Sequence, residues 1–206
     1  MISPSASPGR PFRLSLRLLL VASVLLLVWA APTLGGSKEQ KGKHGGLWQR
    51  TKRKVGSIID DGRFDLLLSG YAHHGRSTYT PQRIAELNEA AWGGGIGKTL
   101  VNSSGDDESL YLLAFSDSHF KPEVHLGYSY RFKWSIYDSP LELGLGFTAF
   151  LMSRVDWADG FPYPGLLPLA SLGTRAIEAV ASYIPPLGKT KGNGDVLIVF
   201  LRVSFD

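Results

Sequence analysis

The 206 residues include no cysteine, which excludes a disulfide framework, a thiolate metal site and a cysteine nucleophile while leaving the redox compartment open. Long apolar runs are scarce too. The longest, LLLVASVLLLVWAA, covers 14 residues from 18 to 31, whereas a helix needs about 20 to span a bilayer. An excess of one charge is also missing: the net charge is +4, and three of the 22 basic residues, Arg10, Arg13 and Arg17, precede that run. Without them 19 basic residues face 18 acidic ones, so charge makes no case for a nucleic-acid partner. With 44% hydrophobic and 19% charged residues, the chain is neither disordered nor collagenous.

What the first segment does contain is an export signal. Residues 1–17 carry three Arg and no acid, the apolar run follows, and Val28-Trp29-Ala30 offers small or modest residues where a signal peptidase reads. Residues 1–30 are thus expected to be removed, leaving a chain that is either soluble or a membrane β-barrel. Residues 31–46, small, polar and Lys-rich, read as a flexible leader. A short amphipathic helix is expected over 47–61: Trp48, Lys52, Val55 and Ile59 recur at helical spacing, Ile58 lies at the apolar edge, and Arg50, Arg53 and Lys54 take the wet side. That pattern suits a helix on a membrane surface or one packed on a core.

From Gly62 onward the period drops to two. Val124, Leu126, Tyr128, Tyr130, Phe132 and Trp134 alternate with His125, Gly127, Ser129, Arg131 and Lys133. Leu141, Leu143, Leu145, Phe147 and Ala149 oppose Glu142, Gly144, Gly146, Thr148 and Phe150, and Leu197 to Phe205 repeats the pattern against Val196, Ile198, Phe200, Arg202 and Ser204. Alternation alone fits a soluble sandwich as well as a barrel in lipid. Strands of about 10 residues, aromatics near strand ends and glycines opposite the apolar face favour lipid. The chain is therefore expected to be all-β over 62–206. The expected fold is an eight-stranded antiparallel transmembrane β-barrel, with strands near 64–74, 91–101, 109–118, 123–134, 140–152, 164–172, 174–184 and 195–205. Its small inward residues, with Ile198 and Phe200, predict a narrow oily tube that suits an acyl chain.

If both chain ends are periplasmic, odd strands run outward. His74 at the end of the first strand then meets Asp117 and Ser118 at the end of the third, at the outer rim. A base, a carboxylate and a hydroxyl are the ingredients of acyl transfer.

The blocks Trp92-Gly93-Gly94-Gly95-Ile96-Gly97, Leu110 to Ser118, Leu143-Gly144-Leu145-Gly146-Phe147-Thr148-Ala149, Leu166 to Ser171, Tyr183-Ile184-Pro185 and Asn193-Gly194 together resemble the lipid A palmitoyltransferase (PagP) family. The resemblance runs in order from about 60 to 205. It implies an outer-membrane enzyme that moves a palmitoyl chain from the sn-1 position of a phospholipid to lipid A, needs no cofactor or metal, and works as a monomer or weak homodimer. By position the family's His, Asp and Ser fall on His74, Asp117 and Ser118. His74 is preferred over His73 because it lies 18 residues before Trp92, the family spacing. Gly127, Ser129, Gly144 and Gly146 are expected to line the acyl tube. Ser129 stands where a family member has Gly at the tube's floor, so a chain shorter than palmitoyl by one or two carbons is a live expectation. Pro168 and Pro185 would interrupt the ladder between strands six and seven and open a lateral route for lipid, whereas the prolines expected near Ser69 and Ala91 are missing. The resemblance leaves open whether Ser118 forms a covalent acyl intermediate or only hydrogen-bonds the ester.

Other signals are weaker. Gly95-Ile96-Gly97-Lys98-Thr99 lacks the first Gly of a phosphate loop, because Trp92 stands there. Asp106, Asp107 and Glu108 read as a solvated turn rather than a Ca²⁺ loop; His119 and His125 read as structural, and Arg154 and Asp156 as lipid A phosphate contacts or solvated rim groups. The competing functions are a non-enzymatic barrel, a lipid-binding barrel and a secreted lipocalin-like carrier.

Overall fold

The computed structural model describes residues 46–156, 160–186 and 194–205; the expected export signal and all but the last residue of the expected leader lie outside them. Helix α1 (Leu47–Asp61) precedes strand β1 (Arg63–His74), and a second helix, α2 (Pro81–Glu86), interrupts the connection to β2 (Gly93–Val101). Then come β3 (Asp107–Ser116), β4 (Pro122–Ser135), β5 (Glu142–Arg154), β6 (Tyr163–Gly173), β7 (Ile177–Ile184) and β8 (Val196–Phe205). Each strand pairs antiparallel with its sequence neighbour, and β8 pairs with β1 to close the barrel. No described helix is long and apolar enough to cross a membrane.

The pleat points the oily side chains outward. Leu68, Ile96, Leu112, Leu126, Leu143, Leu145, Leu166, Leu172 and Leu201 are all exposed large hydrophobics, the band a bilayer requires. Tyr128 and Tyr130 also point outward yet are buried, because α1 lies over them. Ile58 is 0% exposed and clusters with both rings, and Lys54 Nζ bonds Glu108 2.7 Å away while standing 5.8 Å from the Tyr128 ring centre. The helix therefore carries two stripes. Thr51, Lys54 and Ile58 face the barrel, while Trp48, 64% exposed, and Ile59 face away. Ile58, expected at the apolar edge, is instead the anchor. The chain turns from helix to strand at Gly62, where a Cβ would sit 2.3 Å from the Ile58 carbonyl oxygen.

Inside, the bore is divided. At the end beside α1, Arg131 Nη1 meets Glu178 at 2.7 Å, Arg202 Nη2 meets Glu178 at 2.9 Å, and Arg175 Nη1 meets Asp107 at 2.8 Å. Lys133 also bonds Glu178, and Thr99 and Ser204 donate to Asp65. Charges this deep are tolerated only when paired and hydrogen-bonded. Beyond this plug the bore becomes apolar, walled by Leu67, Leu113, Phe115, Phe150, Ile198 and Phe200.

The ladder is incomplete in two places. β6 and β7 pair only from Leu169↔Ser182 to Gly173↔Glu178, so Pro168 marks the point where pairing stops. β1 and β2 pair only as far as Ser69↔Gly93. No proline stands at that second break. Instead Ala72 N donates to Glu89 O at 2.9 Å, and β1 slips past β8 by a bulge between Ser69 and Tyr71.

Candidate functional site

The barrel closes with the ends of β1 and β3 on the same rim, opposite the charged plug. His74, the last residue of β1, is 0% exposed. Asp117 and Ser118 are the first two residues after β3 rather than its last two. Topology alone thus brings together groups separated by 44 positions: His74 Nε2 lies 2.9 Å from Ser118 Oγ. Below them Ala72, Ala91 and Phe115 form an apolar layer packed against Val196 and Ile198. Ile198 and Phe115 also belong to the channel wall, so the pair stands above the mouth of the oily bore. His73 points elsewhere, its Nδ1 3.2 Å from Tyr71 Oη.

Asp117 does not join the imidazole. Its Oδ1 accepts from His119 N at 2.8 Å and Lys121 N at 2.7 Å, and its Oδ2 lies 2.6 Å from Arg154 Nη2. It shapes the turn and holds Arg154, which also engages Asp156 at 3.1 Å. The Arg154 guanidinium hydrogen-bonded to Asp156 holds that carboxyl below its ordinary range. Asp117, His119 and Asp156 bring potential ligand atoms within 4.8 Å of one another, but the guanidinium already neutralises both carboxylates.

The carboxylate beside His74 is Glu89, which no motif or periodicity in the sequence singles out. Glu89 Oε1 lies 3.4 Å from His74 Nδ1 and accepts from His74 N at 3.1 Å. Arg76 grips it from the other side, Nη1 to Oε1 at 2.7 Å and Nη2 to Oε2 at 2.9 Å. That fork holds the Glu89 carboxyl down at about 2. The preceding residue, Asn88, donates from its backbone to Ser118 O at 2.9 Å and from Nδ2 to Asp117 O at 3.1 Å. Tyr79 covers the imidazole edge-on with ring centres 5.3 Å apart. Its hydroxyl donates to Gly194 O at 3.3 Å. Burial pushes the Tyr79 phenol upward.

The expected tube lining needs revision. Ser129 lines the channel together with Thr148 and Tyr111, one strand step above Arg131 and the plug. Gly127, Gly144 and Gly146 contribute no open space, because neighbours already fill their missing side chains. A Cβ at Gly127 would meet the Tyr111 ring at 2.5 Å, and one at Gly144 the Ser171 hydroxyl. At Gly146 the obstacle is the Tyr130 backbone carbonyl. Tyr111 lies flat over Gly127 and bonds Thr148 Oγ1 at 2.6 Å. His125, expected to be structural, is a wall residue: it stacks on Phe150 with ring centres 4.4 Å apart, and its Nε2 lies 2.6 Å from Glu123 Oε1. Pro168 sits at the break in the ladder, and Pro185 follows the end of β7.

Comparison with known proteins is consistent with this geometry. Residues 54–202 match the family model described as antimicrobial peptide resistance and lipid A acylation protein PagP. The protein named lipid A acyltransferase PagP from Bordetella pertussis (strain Tohama I) is 42% identical over 153 residues, covering 74% of this chain and 82% of that one. Its namesake from Legionella pneumophila is 41% identical over 152 residues, covering 74% and 79%. Among solved structures, Neisserial surface protein A aligns with 69% of this chain and 95% of its own at 16% identity. Its TM-score of 0.35 is too low to bear on the fold.

Proposed function

The chain belongs to the PagP family and is an outer-membrane lipid A acyltransferase, and from that premise we propose that its acyl donor is a phospholipid whose sn-1 chain is measured in the apolar channel. The observation that carries this reading is the His74–Ser118 contact of 2.9 Å at the mouth of a bore that is oily above and ionic below. An acyl chain gains free energy over the Leu113, Phe150 and Phe200 walls and must stop where Arg131 and Arg202 begin. Chain length is then set by the distance from rim to plug, with Ser129 near the floor.

In the covalent route Ser118 Oγ attacks the ester carbonyl while His74 Nε2 takes its proton, and that proton leaves with the sn-1 oxygen of the lysophospholipid. A lipid A hydroxyl then attacks the acyl-Ser118 carbonyl, giving its proton to His74 Nε2, which passes that proton to Ser118 Oγ as the acyl–oxygen bond to Ser118 breaks. In the direct route His74 takes the proton of the lipid A hydroxyl as that oxygen attacks the ester carbonyl, Ser118 donates a hydrogen bond to the ester oxygen, and the bond to the sn-1 oxygen breaks as His74 returns the proton to it. Asp117 supports either route by fixing the turn that carries Ser118, and the Pro168 gap supports lateral entry of the donor.

The test is transfer of label from sn-1-labelled phospholipid to lipid A in membranes with and without the protein. Label in lipid A that depends on the protein is expected. Label placed only in the sn-2 position reaching lipid A instead would overturn the donor assignment, and absence of any transfer would overturn the enzymatic reading.

A further inference from the structure

The loop between β1 and β2 reaches back over the rim, and its consecutive residues Asn88 and Glu89 grip the two halves of the catalytic pair. Asn88 N holds the Ser118 carbonyl at 2.9 Å, and Glu89 Oε1 lies 3.4 Å from His74 Nδ1 and takes the His74 backbone N–H at 3.1 Å. A carboxylate can only accept, so Nδ1 must donate, which leaves the Nε2 lone pair facing Ser118 Oγ. That is the tautomer a general base requires. The alternative tautomer would put two acceptors against each other at Nδ1 and offer Ser118 a donor. We propose that Glu89, clamped by Arg76, is the positioning carboxylate of a Ser118–His74–Glu89 relay, and that Asp117 instead serves the fold of the rim. This rests on the acyl-transfer reading of the same site.

Two features support the assignment. Glu89 is held twice by the Arg76 fork, at 2.7 and 2.9 Å, so its carboxylate is aimed rather than free to rotate. The Asp117 carboxylate is already committed to His119 N, Lys121 N and Arg154. The groups facing His74 are Glu89 and Arg76 from the loop, His73 from its own strand, Ser118 from the β3 end, and the Tyr79 ring. Among these Glu89 alone is an anion, so losing its charge must make the imidazolium harder to form.

The experiment compares Glu89→Gln, Glu89→Asp and Asp117→Asn in the full protein in detergent micelles. It measures kcat, KM for phospholipid, the pH–rate profile, and the His74 titration midpoint by NMR of ¹⁵N-histidine-labelled protein, assigned with His74→Ala. In Glu89→Gln, kcat should fall about a hundredfold or more with KM within about twofold. The acid limb and the His74 midpoint should both move to lower pH. Glu89→Asp should restore the midpoint toward wild type, which a merely structural lesion would not do, and Asp117→Asn should leave it in place. A wild-type midpoint and kcat in Glu89→Gln, or a midpoint that moves in Asp117→Asn alone, overturns the assignment. The NMR readout needs no turnover: an inactive wild type would sink the enzymatic reading while the midpoint still judged Glu89.

Discussion

Ser118 Oγ stands 2.9 Å from His74 Nε2 although 44 positions separate them in the chain. Only closure of the barrel with β1 and β3 ending on one rim produces that contact. Whether Ser118 is the nucleophile or the donor to the ester oxygen, its hydroxyl acts in the transition state. Ser118→Ala should therefore cut transfer at least about a hundredfold, while the circular dichroism spectrum of the folded protein stays that of the wild type. Recovery of a Ser118-linked acyl peptide by mass spectrometry after brief exposure to phospholipid alone would select the covalent route.

Neighbouring histidines test the register of β1. A one-residue slip exchanges inside for outside along a strand, and here His74 is buried against Ser118 while His73 meets Tyr71. His74→Ala should lose about 10²- to 10⁴-fold in kcat, and His73→Ala should stay within about threefold of wild type. Transfer assays on the two variants side by side check this, and equal losses would count against the register.

The barrel was legible because alternation in a closed sheet repeats along every strand. From Val124 to Trp134 the oily and polar faces separate without exception, and the strand bounds inferred from such runs agree with the structure to within three residues. His74 and Ser118 followed from strand parity. Alternation says only which face a side chain takes, however, and not what neighbouring strands do with the space. Gly127 therefore read as a vacancy when the Tyr111 ring occupies it, and Tyr128 read as facing lipid when α1 covers it. Glu89 escaped because it lies in the long β1–β2 connection, which has no periodicity to place it. The spacing of Asn88-Glu89 before Trp92 was the signal at hand, but only the fold-back over the rim gives it meaning.

Ser129 tests the ruler. Its side chain is buried 5% exposed in the channel wall just above Arg131, where removing a hydroxymethyl deepens an apolar slot. Each methylene of acyl chain is worth about 1–3 kcal/mol of discrimination, so Ser129→Gly should lengthen the preferred donor by about one or two carbons. Mass spectrometry of the lipid A products from a mixed-chain phospholipid pool would show it. An unchanged profile would place the stop elsewhere in the plug.

The plug itself makes a separate prediction about stability. Arg131 bridges Glu178 at 2.7 Å and Asp107 at 3.1 Å, and all three side chains are almost fully buried. Arg131→Met keeps an apolar stem but removes one of the cations that pair Glu178 and Asp107, leaving the first to Lys133 and the second to Arg175, with Arg202 beside both. Breaking a buried ion pair from one side costs about 3–5 kcal/mol, so unfolding in guanidinium from detergent micelles should shift to markedly lower denaturant. Arg202 Nη2 remains 2.9 Å from Glu178 and 3.5 Å from Asp107, which should soften the loss toward the lower end of that range. Arg131→Met combined with Arg202→Met should therefore lose more than the sum of the two single variants, because each guanidinium covers for the other. Strict additivity would mean that the carboxylates find no shared compensation and that the plug is a set of independent pairs.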